Sequence, residues 1–222
     1  MSVNLLALET SGEFCSVALW RSGGAVLVRH RETPAQHTEF LLPACADLCA
    51  EAGIALSDLD GLAFGSGPGA FTGVRVAASA AQGLALAFDR PVVGISSLAA
   101  LARAGWRATG ERYQVPVLDA RRSEIYWAAY ELSPAGDEAR TVLGDRLSAP
   151  SALTLPPDVE WSGIGVGVAL LDADVPLARP NVPREALFPS AEDVAALAWP
   201  QFAAGAALGP ESALPRYLRE PV

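Results

Sequence analysis

The chain has 222 residues, 51% hydrophobic and 18% charged, enough apolar surface for one large domain or two small ones and too much for a disordered tail. Its formal net charge is −9 and every one of its 16 basic residues is arginine, so the chain alone lacks the dense positive charge that extended nucleic-acid binding requires. Three cysteines without Cys-x-x-Cys spacing read as buried free thiols and exclude a disulfide framework.

Val3–Thr10 is a short apolar run with no basic flank, too short for a signal peptide. Charges, Gly or Pro interrupt every later apolar run, so the expectation is a cytoplasmic protein with no membrane span. Ser11-Gly12-Glu13 closes the first run. Phe14–Trp20 follows, then the turn Arg21-Ser22-Gly23-Gly24, then Ala25–His30, an antiparallel meander. After Pro34 the period changes: Leu41, Leu42, Cys45, Leu48, Cys49 and Ala52 recur at helical spacing, and Gly53 ends the run. Gly61–Phe64 is a strand leading into a glycine-rich loop. A helix from Val74 to Phe88 is stopped by Arg90-Pro91, Pro91–Ile95 is strand-like, and Ser96 and Ser97 are placed to cap a helix reaching about Trp106. The order βββαβαβα predicts a mixed sheet with helices on its faces, the order of ribonuclease H-like folds and of each half of actin-like and sugar-kinase-like proteins.

A second half restarts with a strand, which sets a boundary near Gly105–Arg112 and divides the chain into residues 1–105 and 106–222. Tyr113–Leu118 leads to Asp119-Ala120-Arg121-Arg122-Ser123, and Glu124–Leu132 alternates as a half-buried strand. Pro134-Ala135-Gly136-Asp137 is a turn. Arg140 to Pro189 is rich in Pro, with a strand expected at Val159–Ile164. Ser190-Ala191-Glu192-Asp193 resembles a capping box and opens a helix carrying Val194, Leu197, Ala198 and Phe202, kinked at Pro200 and ended by Gly209-Pro210. Leu214–Arg219 is short and amphipathic. The second half reads as a shortened counterpart of the first, and its last helix is placed to pack back on the first.

The chemistry concentrates in Gly65-Ser66-Gly67-Pro68-Gly69-Ala70-Phe71-Thr72-Gly73. Gly67, Gly69 and Gly73 permit positive φ or close approach, Pro68 stiffens the turn, and Thr72 is a candidate helix N-cap. The helix beyond points free N–H groups at the loop, an arrangement that accepts anions. The spacing is neither a P-loop nor Gly-x-Gly-x-x-Gly, and a tight turn needed only for packing fits equally well. The following helix is rich in small residues, among them Ala77, Ala78, Ala81, Gly83 and Ala85, which suits a buried core helix or close contact with a partner. His37 has no second His four residues away, position 41 being Leu, so a helical metal pair is excluded.

The combination of Leu8-Glu9-Thr10-Ser11, His37-Thr38-Glu39 with Leu42-Pro43, the run Gly65 to Val76, Gly94-Ile95-Ser96-Ser97-Leu98, Asp119-Ala120-Arg121 and Tyr217-Leu218-Arg219 resembles the bacterial TsaB (YeaZ) family. Ala70 stands where that family usually has Ser. The resemblance implies a two-domain actin-like (ASKHA) fold with a reduced second domain. It also implies a non-catalytic role in the threonylcarbamoyl modification of the adenosine beside the anticodon of tRNA. The expected partners are TsaD as a heterodimer, the ATPase TsaE in the complex, and a second copy of the chain when alone, with tRNA reached only through the complex.

In this class the first hairpin, here Thr10 and Ser11, clasps phosphate, and Gly67, Pro68, Gly69, Phe71, Thr72 and Gly73 belong to the same candidate site. Glu9 stands near the usual Asp, and the matching hairpin Asp119-Ala120-Arg121 lacks its Gly. No cofactor is therefore firmly expected, although ATP or ADP at the complex interface fits the resemblance. The two helices after the meander form the family's dimer contact, which places His37, Leu41, Cys45, Arg75, Ala78, Ala81, Gln82 and Ala85 at a partner interface. The alternative reading is an actin-like small-molecule kinase or ATPase. A peptidase has no nucleophile–base pair in the sequence to support it.

Overall fold

A computed structural model describes residues 3–22, 26–32 and 37–219; Gly23-Gly24, Ala25 and Pro34 of the sequence reading lie outside the described residues. Strands β1 (Asn4–Glu9), β2 (Phe14–Arg21) and β3 (Val26–Glu32) form the meander, followed by α1 (His37–Glu51), β4 (Gly61–Gly65), α2 (Phe71–Phe88), β5 (Val92–Ile95) and α3 (Ser97–Thr109). The sheet order is β3-β2-β1-β4-β5, antiparallel within the meander and parallel where a helix intervenes. That is the ribonuclease H-like arrangement expected from the element order.

The second half contains β6 (Tyr113–Arg121), β7 (Glu124–Leu132), β8 (Ala139–Ser148), β9 (Ser162–Ile164) and α4 (Ala191–Ala203). Its sheet order, β8-β7-β6-β9, repeats the first sheet's arrangement one strand short, with β9 parallel to β6. The sequence reading missed β8. Its residues Ala139–Ser148 mix charged and apolar side chains and include Gly144, and its ladder with β7 is interrupted by register shifts, so no clean alternation marks it. It also carried α4 too far. The helix stops at Ala203, and Gly205 takes a left-handed conformation (φ 73°) that ends it before Gly209-Pro210.

The alternation of β1 sorts its side chains onto two faces. Leu6 and Leu8 join Leu19, Leu62 and Phe64 under α1 and α2. Leu5 and Ala7 join Ala63 and Ile95 on the opposite face, against α3 and α4. Leu118, Ala128, Tyr130 and Ile164 of the second sheet belong to that same cluster. The helices α3 and α4 are thus a layer between two sheets, and one apolar core spans both halves. Ala99, Ala100, Ala102, Ala195 and Ala198 keep that layer thin. The outer face of the second sheet, including Val117, Ile125 and Trp127, is covered by Leu153, Trp161 and Leu171 rather than by a helix.

The sequence reading found no run near membrane-span character, yet α2 is long and apolar enough for one by length and composition alone. Here its inward face, with Val74, Ala77, Ala78, Ala81 and Ala85, is core packed on the first sheet.

A buried ionic cluster fixes α4 to α3. Asp193 is fully buried and accepts from Arg103 Nη1 at 2.6 Å and from Arg107 Nη2 at 3.1 Å. The Ser190 hydroxyl donates to Asp193 Oδ2 at 2.6 Å and, as the N-cap, accepts from the Asp193 backbone N–H. Breaking a buried pair from one side leaves charge without compensation. Asp193→Ala is expected to cost about 3–5 kcal/mol, measured as a lowered urea midpoint with an unchanged slope.

Candidate functional site

The β1–β2 hairpin and the glycine-rich loop meet at the carboxyl ends of the first sheet's parallel strands. Thr10 Oγ1 donates to the Gly73 carbonyl at 2.7 Å, and Ala70 N–H donates to the Ser11 carbonyl at 2.7 Å. A Cβ on Gly73 would lie 1.9 Å from the Thr10 carbonyl oxygen, and one on Gly69 would lie 2.5 Å from that of Ser11. Those glycines are needed where two stretches of this chain's own backbone touch. Gly67 has φ 98°, the conformation that does require glycine, and Pro68 beside it is buried.

Two expectations about the loop are corrected by this geometry. Gly73 and Thr72 are inside α2, which begins at Phe71, because the Thr10 contacts need Gly73 in helical conformation. Thr72 is therefore not the N-cap; Ala70 holds that position and its side chain makes no cap hydrogen bond. Ser96 does cap α3, accepting from Leu98 and Ala99 N–H.

Glu9 lies beneath the hairpin and is buried. Its Oε1 accepts from Ser11 N–H at 2.5 Å and its Oε2 from the Ser97 hydroxyl at 2.9 Å, while Ser97 Oγ accepts from Gly67 N–H at 3.3 Å. One carboxylate thus ties β1, the loop and the start of α3. Gly65 leaves it room, since a Cβ there would lie 1.8 Å from Glu9 Oε2. Burial raises the Glu9 carboxyl above its ordinary range, and the donated hydrogen bonds offset part of that rise.

The second hairpin is arranged differently. Asp119 accepts from Arg121 N–H at 2.7 Å and from Arg121 Nη1 at 3.0 Å, so its carboxylate is engaged within its own turn. Arg121, Arg122 and Ser123 all have positive φ, 61°, 56° and 59°. The segment from Leu214 to Arg219 runs as a strap from the glycine-rich loop to the second hairpin. Arg216 N–H donates to the Ser66 carbonyl at 2.7 Å, and a Cβ on Gly67 would meet the Arg216 carbonyl at 3.0 Å. Arg219 Nη2 reaches the Ala120 carbonyl at 3.1 Å and Glu124 Oε2 at 2.6 Å.

Sequence reasoning missed this strap's role, and it missed Asp145, which is buried on β8 and accepts from Ser96 Oγ at 2.8 Å and from Tyr130 Oη at 2.6 Å. Burial and Asp145 raise the Tyr130 phenol. A groove of about 520 Å³ borders the cluster, lined by Ile95, Ala99, Tyr130, Leu197 and Arg216 among others. Among the described residues, no group of three or more His, Cys, Asp and Glu side chains is placed to hold a metal ion. Burial pushes the Cys15 and Cys45 thiols up to about 12, with Glu9 adding to Cys15 and the neighbouring thiols to Cys45, so neither is a ready nucleophile.

Residues 28–180 match the family model described as TsaD, tRNA N6-adenosine threonylcarbamoyltransferase. Over its whole length the chain is similar to other proteins. It is 36% identical to the tRNA threonylcarbamoyladenosine biosynthesis protein TsaB of Escherichia coli (strain K12), across 99% of this chain and 96% of that one. The solved structure of YeaZ from Pseudomonas aeruginosa is 41% identical and superposes with a TM-score of 0.88, covering 97% of this chain and 100% of the other. The chain belongs to the TsaB (YeaZ) family. The TsaB protein of Haemophilus influenzae (strain ATCC 51907 / DSM 11121 / KW20 / Rd) is 45% identical over 57% of this chain and 53% of its own length.

The TsaB resemblance put the partner contact on α1 and α2, and the structure corrects which residues those helices expose. Leu41, Cys45, Ala78, Ala81 and Ala85 are at most 1% exposed and belong to the core beneath the helices. His37 is also buried, and Gln82 is half-buried, with Nε2 donating to the Pro210 carbonyl at 3.2 Å. Arg75 is exposed, lies 3.5 Å from the Phe71 ring centroid and donates to Tyr217 Oη at 2.7 Å. The small-residue stripe of α2 faces its own sheet because that face must approach β4 closely. The outward residues of α2 are Ser79, Gly83 and Leu86, and Leu42 and Ala46 are exposed on α1.

Gly73→Ala is expected to destabilise by about 1–3 kcal/mol through overpacking against backbone, whereas Gly83→Ala, where an added Cβ meets nothing within 4 Å, is expected to stabilise by up to about 1 kcal/mol. Urea titration of the two variants checks the opposite signs. For Glu9 the native value is raised, so the stability that the protonated carboxyl contributes is complete below the ordinary value of 4.5 and is lost as pH rises through the native value. Glu9→Gln is expected to remove that slope: the wild-type stability minus that of the variant falls as pH rises above the ordinary value of 4.5. A flat difference across a denaturation series would contradict the assignment.

Proposed function

We propose that this chain is a non-catalytic partner subunit in the threonylcarbamoyl modification of the adenosine next to the anticodon of tRNA, and that it acts by binding and organising TsaD. The observation that carries this reading is that its glycine-rich loop is closed against its own hairpin while the outward stripe of α1 and α2 is left uncovered within the chain. Thr10, Ser11, Gly67, Pro68, Gly69 and Gly73 then act as loop-shaping residues that fix where α2 starts. Phe71 and Thr72 form its exposed first turn. Tightly apposed helices need small residues at the contact, and Ser79, Gly83 and Ala46 supply them, with exposed Leu42 and Leu86 as apolar anchors.

In this reading the chain pairs with a second copy when alone and with TsaD in the complex, where TsaE joins and ATP or ADP binds at the complex interface. The setting is cytoplasmic, and residues 1–105 and 106–222 act as two actin-like domains. The rival reading, an actin-like kinase or ATPase, is disfavoured by the strap from Leu214 to Arg219, which joins the glycine-rich loop to the second hairpin, and by Ala120, whose place in the second hairpin a phosphate-binding glycine would take.

Purified chain mixed with TsaD is expected to elute as a heterodimer on size exclusion, and Gly83→Trp is expected to abolish that peak while its circular dichroism and melting temperature stay near wild type. Normal pairing by a folded Gly83→Trp protein moves the interface elsewhere. Micromolar ATP binding with turnover by the chain alone, measured by calorimetry and phosphate release, favours the kinase reading.

A further inference from the structure

We infer that the first turn of α2, the strap and the β6–β7 hairpin together form a contact site for unpaired RNA, with a base on the Phe71–Tyr217 platform and phosphates on the flanking arginines. The inference rests on the proposed role in tRNA modification for the identity of the nucleic acid.

Phe71 is 61% exposed and Tyr217 47% exposed, with ring centroids 5.9 Å apart. The two rings lie together and form one contiguous exposed aromatic patch. Arg75 makes the platform rigid, its guanidinium stacking on Phe71 while its Nε donates to Tyr217 Oη. The two rings are tilted 36° to one another, so a base stacks on one exposed face and not on both rings at once; such a face tolerates any base because every base has a π-face.

The charge around the platform departs from that of the chain. Arg216 and Arg219 flank Tyr217 on the strap, and Arg219 reaches the Ala120 carbonyl beside Arg121 and Arg122. These four and Arg75 put five arginines on one edge of a chain whose net charge is −9. Three carboxylates oppose them: Asp119 pairs with Arg121, Glu124 with Arg219, and Asp145, which is buried, with Arg216. Among the described residues Arg75 and Arg122 have no ion pair, and Arg121 remains 81% exposed despite its own. Arg122 and Ser123 are the two loop residues between β6 and β7, where positive φ is ordinary hairpin geometry, and the turn carries both arginines at its tip. The N-terminus of α2 adds the positive end of its dipole to the same edge. An acidic peptide shares the attraction for arginine but makes no use of the stacked faces.

The test is fluorescence anisotropy of a labelled anticodon stem-loop RNA titrated with the full chain, alone and mixed with TsaD, at several salt concentrations. Arg121→Asn with Arg122→Asn removes two charges and keeps residues that tolerate the left-handed conformation. This pair is expected to weaken binding and to reduce the slope of log affinity against log salt by about 0.7 per arginine removed. Phe71→Ala is expected to weaken binding about tenfold or more. The assignment is overturned if the wild-type chain binds no RNA either alone or with TsaD, or if the Asn pair binds like wild type with the same salt slope. It is also overturned if polyglutamate displaces the labelled RNA better than unlabelled RNA does, which would make the occupant an acidic peptide. Size exclusion of the same samples separates the two readings. Loss of TsaD pairing with the RNA effects intact would remove the partnership and leave the surface; intact pairing with no RNA effect would do the reverse.

Discussion

The contact between the Thr10 carbonyl and Gly73 sets the geometry on which the rest of the candidate site depends. At this point the backbone of the first hairpin lies against the first turn of a helix, and only hydrogen fits between them. The Thr10 hydroxyl then bonds to the Gly73 carbonyl, and Ala70 bonds back to Ser11. Once α2 starts there, its inward stripe must be Ala77, Ala78, Ala81 and Ala85, and Arg75 must emerge beside Phe71 and Tyr217. The glycines that suggest a phosphate cradle in the sequence are used to bring one part of the chain against another.

Beneath that contact, the buried Glu9 carboxyl holds three elements in register. Its acceptors are filled by Ser11 and Ser97, so the carboxylate is inside the protein rather than facing a cleft. The strap completes the closure from the other side, with Arg216 on the Ser66 carbonyl and Arg219 on the Ala120 carbonyl. The glycine-rich loop is thus fastened to the second hairpin, and α1 and α2 carry the exposed helical surface.

Much of the first half was legible because its elements follow the periodicities of local geometry. The meander is three short apolar runs joined by turns, α1 and α2 repeat at helical spacing, and Ser96 and Ser190 cap the helices they precede. The facing of α1 and α2 was not legible. Leu41 and Cys45 lie on an apolar stripe of α1 and Ala81 on one of α2, and a sequence does not say whether such stripes meet their own sheet or another molecule. Strand β8 was lost because an edge strand with one wet face, a central Gly144 and interrupted pairing has no pattern to find. Asp145 was lost with it. Tyr217 and Arg219 were visible only as part of a family motif, since their partners Phe71, Arg75 and Ala120 are about a hundred residues or more away.

The layer of α3 and α4 between the sheets also governs the order in which the molecule can be completed. All five strands of the first sheet have been synthesised once Ile95 is made, but Leu5, Ala7, Ala18 and Ala63 remain without part of their cover until α4 arrives at residues 191–203. For that interval the nascent polypeptide presents an apolar sheet face to the cell, the kind of surface that chaperones retain and that aggregates when released early. Premature termination anywhere before Ala191 would therefore yield a sticky fragment and not a smaller working protein. The last helix made is the one that renders the first sheet safe.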